Sequence, residues 1–543
     1  MANKKLFAVV TLLTILATLL AACAPAPTPV PPTQAPAAKQ AEPTKAPEPT
    51  KPPAPTPTPK PKVLNIVTGT DIESLMIHRV TSSPSFTVLE HIFETLFYMT
   101  PDGKLEPLLA QSFAVTGPTE YTIKLRQDVK FTDGTPFDSA AVKANLEWVL
   151  KTENKAGFRS LIDMVTEIKT PDANTVVLTT KNPFVPLQFH LSHGGVAMVS
   201  PAALAKGEEF LAANAIGTGP FKLKEWKKGE AVTLEKNPDY WGEKTKLDLV
   251  TFKMVKEDGA RLVAVESGDA DVAVRVPPTE MERLKANKDL VIDVTPGLRT
   301  IYIFFNNTQA PFTDKRVRQA VNYGVDKKAI VEKLFGGAAR VSDAPMAPPI
   351  FGYKAQTVYP RDVEKAKALL KDAGIAPGTK VTLYHPTGRY VQDALVADAV
   401  RAQLKDIGLD VELKTLEWPQ YVPFVRAEKD KNTVQFAMLG WSTPTMDADY
   451  ALYNLFHKAN FPPGFNGAFY DNPTVNDLLD KGRSEADVSK RAALYADAIQ
   501  VIWDDAPWLF LYSEVQVTAI RKNVSNFIVH PSERMIVRTT DKQ

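Results

Sequence analysis

Cysteine is almost absent from this chain: one residue in 543, Cys23. A lone thiol excludes an internal disulfide framework, and its place near the N-terminus leaves the remaining residues without thiol catalysis or thiolate metal ligands. Charge of one sign is also missing. The 64 basic residues nearly balance 62 acidic ones, for a net charge of +2, so no global field directs the chain to nucleic acid or to an anionic surface. Reactive signatures are wanting as well. The sequence contains no His-Glu-x-x-His, no Gly-x-Ser-x-Gly and no phosphate loop ending in Gly-Lys-Ser/Thr, which argues against the common hydrolases and nucleotide enzymes. What is present is ample core material: 44% hydrophobic and 23% charged residues over a length that divides into more than one domain.

The N-terminus explains the single cysteine. Lys4 and Lys5 precede an apolar stretch from Leu6 to Ala22, and Leu20-Ala21-Ala22-Cys23 resembles the lipobox of a lipoprotein signal peptide. The apolar run is slightly short of the ~20 residues needed to span a bilayer. Residues 1–22 are therefore expected to be removed, with Cys23 lipidated and holding the protein outside the cytoplasmic membrane; two or three acyl chains give stable anchoring. Residues 23–62 form a tether. From Ala24 to Lys62 there is no aromatic residue and 15 of the chain's 44 prolines, a composition that favours extended polyproline II over a packed core.

Periodic structure begins at Val63-Leu64-Asn65-Ile66-Val67, and strands then mix with amphipathic helices throughout, so the class is α/β. Apolar residues at 363, 366, 369, 370 and 373 make one helical face, with Asp362 as N-cap and Gly374 as the stop. From Lys380 to Lys414, a strand (381–384), a helix (391–407) and an alternating strand (409–413) read as a βαβ crossover, and Val434 to Leu439 reads as a further strand ending before Gly440-Trp441-Ser442. Ligands in such sheets gather at the carboxyl ends of strands.

That rule selects candidates. Arg389, in the turn after the first crossover strand, offers a bidentate fork to a carboxylate, and Trp441 offers a flat apolar wall. Ser83, Tyr302, Tyr384 and His385 are further candidates to line a cleft. Asp447 and Asp449 read as loop hydrogen-bonders or ligand contacts, since alternate residues of an extended segment face opposite ways. His190 and His193 have a metal-like spacing without accompanying ligands, so no metal site is expected; Gly217-Thr218-Gly219 continues with Pro220-Phe221 and reads as a tight turn.

Several segments, in order, resemble the peptide, nickel and oligosaccharide binding proteins of ABC importers, solute-binding family 5. They are Tyr121 to Phe137, Ile216 to Phe221, Asn237 to Gly242, Ala264 to Asp271, Phe305-Asn306, Pro311 to Asp314, Val317 to Val321 and Val325 to Lys327. The resemblance implies a two-lobed periplasmic-binding-protein-like fold (type II, cluster C) with an extra subdomain on the first lobe. Lobe I then comprises 63–105, 205–300 and 515–543, the subdomain 106–204, and lobe II 301–514. It further implies a monomeric, non-enzymatic capture protein with no cofactor, periplasmic or at the cell surface, which closes on a small solute and delivers it to a permease and ATPase complex. Dipeptide binders of this family carry an aspartate shortly after the Gly-Trp pair, where this chain continues to Pro444. That points away from dipeptides with a free amino terminus and toward glutathione-type or oligopeptide-type binders, with Asp447 meeting an amino group and Arg389 a carboxylate. A nickel chelate or oligosaccharide as ligand, a sensory role on the same fold, and a secreted hydrolase on another fold are the alternatives.

Overall fold

The computed structural model describes Lys60–Gln543. The expected signal peptide, Cys23 and the tether up to residue 59 lie outside the described residues.

The architecture rests on an eleven-stranded mixed sheet whose strands fall into two groups. In the first, Val63–Thr68 runs parallel to Leu249–Met254 and Val272–Ala273, and the antiparallel strands Ala231–Lys236 and Phe221–Lys227 extend the far edge. In the second, Thr379–Pro386 runs parallel to both Leu409–Leu416 and Phe436–Ser442. The helix Asp393–Asp406 makes the crossover between Thr379–Pro386 and Leu409–Leu416, as the spacing predicts. The sequence expectation ended the third of these strands at Leu439. The structure carries it through Ser442, because Gly440, Trp441 and Ser442 still pair with Ile301, Thr300 and Arg299.

Two long strands join the groups. Leu290–Phe305 and Trp508–Arg521 lie antiparallel, pairing first from Leu290 to Pro296 and again from Thr300 to Phe304, with the register broken between Pro296 and Thr300. Val272–Ala273 attaches to one end of this ribbon and Phe436–Ser442 to the other. The break is where the chains come closest: a Cβ on Gly297 would stand 2.7 Å from the Glu514 carbonyl oxygen, so only glycine fits. Where the ribbon enters the second group it is anchored by Tyr302 stacked on Trp508, with ring centroids 3.5 Å apart. Burying one such ring is worth about 1.5–3 kcal/mol. The outcome is a two-lobed α/β fold, as expected.

A separate four-stranded antiparallel sheet, in the order Ala110–Gly117, Glu120–Leu125, Thr175–Thr180, Val165–Asp172, carries the helix Ser139–Leu150, whose N-cap Asp138 accepts from the Ala141 N–H. The helix Val363–Asp372 has the predicted cap, with Asp362 accepting from the Lys365 N–H and Gly374 at φ +76°. At Gly217 a Cβ would sit 2.0 Å from the Ile92 carbonyl oxygen, and Thr218 Oγ1 donates to Glu94, so this glycine pair serves close packing of two backbones. Among the described residues no helix is long and apolar enough to cross a membrane.

Candidate functional site

The crossing ribbon and the loops of both sheet groups line a cavity that opens to solvent, with about 740 Å³ of empty space including its mouth. Ser83 and Phe86 reach it from the first group, Phe158 and His193 from the segments beside the four-stranded sheet, and Arg299 and Tyr302 from the ribbon. Arg389, Trp418, Arg426, Trp441, Tyr450 and Phe465 line it from the second group, and Arg534 from the C-terminal segment. Four arginines and no acidic residue line this space.

Arg299 is the hub. Its Nε donates to Glu533 Oε1 at 2.5 Å and its Nη2 to Glu533 Oε2 at 2.7 Å; the same Nη2 reaches Ser83 Oγ, and Nη1 donates to the Gly440 carbonyl at 2.6 Å. Burial opposes ionisation of Glu533, but Arg299 and Arg389 outweigh it and hold the carboxylate well below its usual range. Arg389 is only 1% exposed. One of its nitrogens, Nη2, meets Glu533 at 3.3 Å, while Nε and Nη1 are buried without a hydrogen-bond partner among the described residues. The guanidinium lies over Tyr390 and Trp418, at 4.8 and 5.2 Å from the ring centroids. The buried indole Nε1 of Trp441 is unpartnered too. A buried donor without an acceptor costs about 1–3 kcal/mol. With the buried, unpartnered Nε1 of Trp418, four such donors belong to side chains that line one cavity; donors of this kind suit an anionic oxygen group, and the aromatic walls add apolar contact.

A second cavity, of about 780 Å³, adjoins at Glu533 and is lined by Asp71, Arg275, Val391 and Glu514 among others. Burial first, and then repulsion by Glu533, pushes Glu514 up to about 7 against the pull of Arg299, Arg389 and Arg275. The two carboxylates titrate as one system. Because the folded-state value of Glu514 exceeds the ordinary carboxyl range, its contribution to stability is complete below about pH 4.5 and is lost as pH rises through 7. Glu514→Gln is expected to remove that loss, flattening the decline in melting temperature between pH 4.5 and 7.5 relative to wild type. Parallel profiles for the two proteins would contradict the assignment.

Of the residues singled out in the sequence, Ser83, Tyr302, Arg389 and Trp441 come together in the first cavity. Asp447 and Asp449 do not. Asp447 caps the helix Ala448–Phe456 and accepts both Nη groups of Arg491, each at 2.7 Å. Asp449, one turn position on, lies 3.2 Å from both Arg483 and His190. The segment begins a helix, so the alternation expected of an extended strand does not apply; buried pairing with arginine occupies both carboxylates. Burial is outweighed at Asp449 by Arg483 and His190, which keep it below the usual range. His385 is buried with Nδ1 on the Pro386 carbonyl, and Tyr384 packs on Phe424; neither lines the cavity. His190 is a buried core group, whereas His193 lines the cavity, held between the Gly195 N–H and the Tyr450 hydroxyl. Among the described residues no cluster of three or more His, Cys, Asp or Glu could hold a metal ion.

Sequence reasoning missed Arg299, Arg426, Arg534 and Glu533. Arg299 left a signal, one charge at the head of the apolar run from Thr300 to Phe305. Glu533 left none.

Comparison with known proteins places this geometry. The chain is 34% identical over 474 residues to the glutathione-binding protein GsiB of Pectobacterium atrosepticum, covering 86% of this chain and 91% of that one. It is 32% identical over 486 residues to the glutathione-binding protein GsiB of Shigella dysenteriae, covering 88% and 94%. Among solved structures, the ABC transporter-associated periplasmic binding protein DppA from Helicobacter pylori, in complex with the peptide STSA, superposes with a TM-score of 0.82 at 26% identity, over 88% of this chain and 98% of that one. The family model described as bacterial extracellular solute-binding proteins, family 5 middle, matches residues 104–463. The chain belongs to the family 5 bacterial extracellular solute-binding proteins, which serve ABC transporters as binding proteins and are not enzymes.

Proposed function

We propose that this protein is the lipid-anchored substrate-binding component of an ABC importer, capturing peptide-type solutes of the oligopeptide or glutathione kind and delivering them to a membrane permease and its ATPase. Lobe I is assigned to 63–105, 205–300 and 515–543, its extra subdomain to 106–204 and lobe II to 301–514, with the Leu290–Phe305 and Trp508–Arg521 ribbon as hinge. Cys23 carries the lipid and the residues up to 62 serve as tether. The protein acts as a monomer.

The observation that carries the reading is the cavity between the two strand groups, into which buried Arg389 and Trp441 present donors without acceptors. Closure is a population shift driven by contacts a ligand makes with both lobes at once. Polar contacts already span the two sides, among them Lys256 to Glu417 at 3.0 Å and Arg275 Nη1 to the Arg389 carbonyl at 2.9 Å. The glutathione-binding relatives make that tripeptide the first ligand to test.

A thermal-shift titration of the purified chain tests the proposal. At 100 times the dissociation constant, a ligand that binds only the native state adds about 2.7 kcal/mol. Glutathione or short peptides are expected to raise the melting temperature. A rise with oligosaccharides or nickel chelates, and none with peptides, would refute the peptide assignment.

A further inference from the structure

Arg426 is the one arginine of the cavity that meets no carboxylate within 4 Å among the described residues. Arg299 and Arg389 share Glu533, and Arg534 meets Glu90 at 2.9 Å. Arg426 instead donates from Nε to the Gly464 carbonyl at 2.9 Å and from Nη2 to the Pro463 carbonyl at 2.6 Å, and its guanidinium covers Phe465 at 4.1 Å. Burial lowers it to about 10, opposed by Glu73 and then Tyr302. Glu73 itself is committed to the Thr81 and Ser82 N–H groups. Four arginines therefore line the cavity while Glu533, Glu90 and, 3.6 Å from Arg299, Glu514 pair with them, so positive charge exceeds negative around a space with no acidic lining residue.

Arg389, with two unpartnered nitrogens, and Arg426, with no carboxylate partner, stand at opposite ends of one wall. Trp418, Val422 and Arg426 are spaced i, i+4, i+8 along the helix Trp418–Val425 and its C-cap, and all three line the cavity. Arg389 lies over Trp418, at the start of that stripe. With a rise of 1.5 Å per residue, the stripe from Trp418 to Arg426 is about 12 Å long.

We infer that Arg426 forms a second anion subsite and that the natural ligand is a diacid of tripeptide size, one acidic group at Arg389 and Trp441, the other at Arg426, with its middle on Trp418 and Val422. This rests on the peptide-binding reading of the same cavity and narrows it: a solute with a single acidic group leaves one guanidinium uncompensated.

Glutathione and its two monoesters, each blocking one carboxylate, are the probes, titrated calorimetrically into the purified chain. Wild type is expected to bind each monoester about 10- to 100-fold more weakly than the diacid, the range for one charge-assisted contact. Arg426→Ala is expected to abolish the preference against one ester and Arg389→Ala the preference against the other. Arg426→Lys, which retains the charge beside the Pro463 and Gly464 carbonyls, is expected to restore part of the first preference. Wild type binding diacid and both monoesters equally would overturn the second subsite and leave the peptide reading standing, as would an Arg426→Ala protein that keeps both preferences. A wild-type protein that binds none of the three overturns the diacid assignment and the glutathione-type reading together.

Discussion

Replacing Arg389 with alanine is expected to weaken ligand binding by about 2–5 kcal/mol, a loss of roughly 30-fold to several thousand-fold in affinity. The size follows from the surroundings. The guanidinium is 1% exposed, stacked over Tyr390 and Trp418, and carries two buried N–H donors unused by the protein. An acid placed there exchanges its hydration for two charge-assisted bonds. Stability is expected to change less, because Glu533 keeps its bidentate bond to Arg299 when Arg389 is gone. Arg389→Lys should recover only part of the affinity, since an ammonium offers a point charge where the site presents a planar fork. Calorimetric titration alongside a melting curve separates the two effects. Unchanged affinity in the alanine variant would remove Arg389 from the site.

Asp447→Ala is expected to act in the opposite way, costing about 3–5 kcal/mol of stability while leaving the affinity of the folded protein intact. Deleting this carboxylate strands Arg491, buried and otherwise bonded to the Gly482 carbonyl and the Tyr495 hydroxyl, without its counter-ion. It also strips the helix Ala448–Phe456 of its N-cap, worth a further ~1 kcal/mol. Urea unfolding measures the first quantity, and titration below the transition the second. A variant of normal stability with impaired binding would return Asp447 to the ligand.

These two residues show what the sequence discloses. Arg389 is legible because it follows a strand with clear β periodicity and precedes an equally clear helix, so local pattern alone places it at a strand end. Trp441 is legible for the same reason. Asp447 shares a neighbourhood with them, but its fate is decided by Arg491, 44 positions on. Glu533 and Arg299 are 234 positions apart, and their pairing exists only after the C-terminal segment returns across the ribbon. The break in the ribbon hides for a local reason. Pro296-Gly297 reads as a turn in any sequence, yet Leu290–Phe305 is one strand that takes the pair as a break in register. Crossover and caps follow from spacing, whereas the ion pairs that decide which polar groups remain free for a ligand are tertiary.

A crystal structure of the chain grown with glutathione is expected to show the ligand enclosed between the two strand groups, with an acidic oxygen within hydrogen-bond distance of Arg389 Nε or Nη1. A ligand bound elsewhere, or one in this cavity that leaves both nitrogens unpartnered, would contradict that placement.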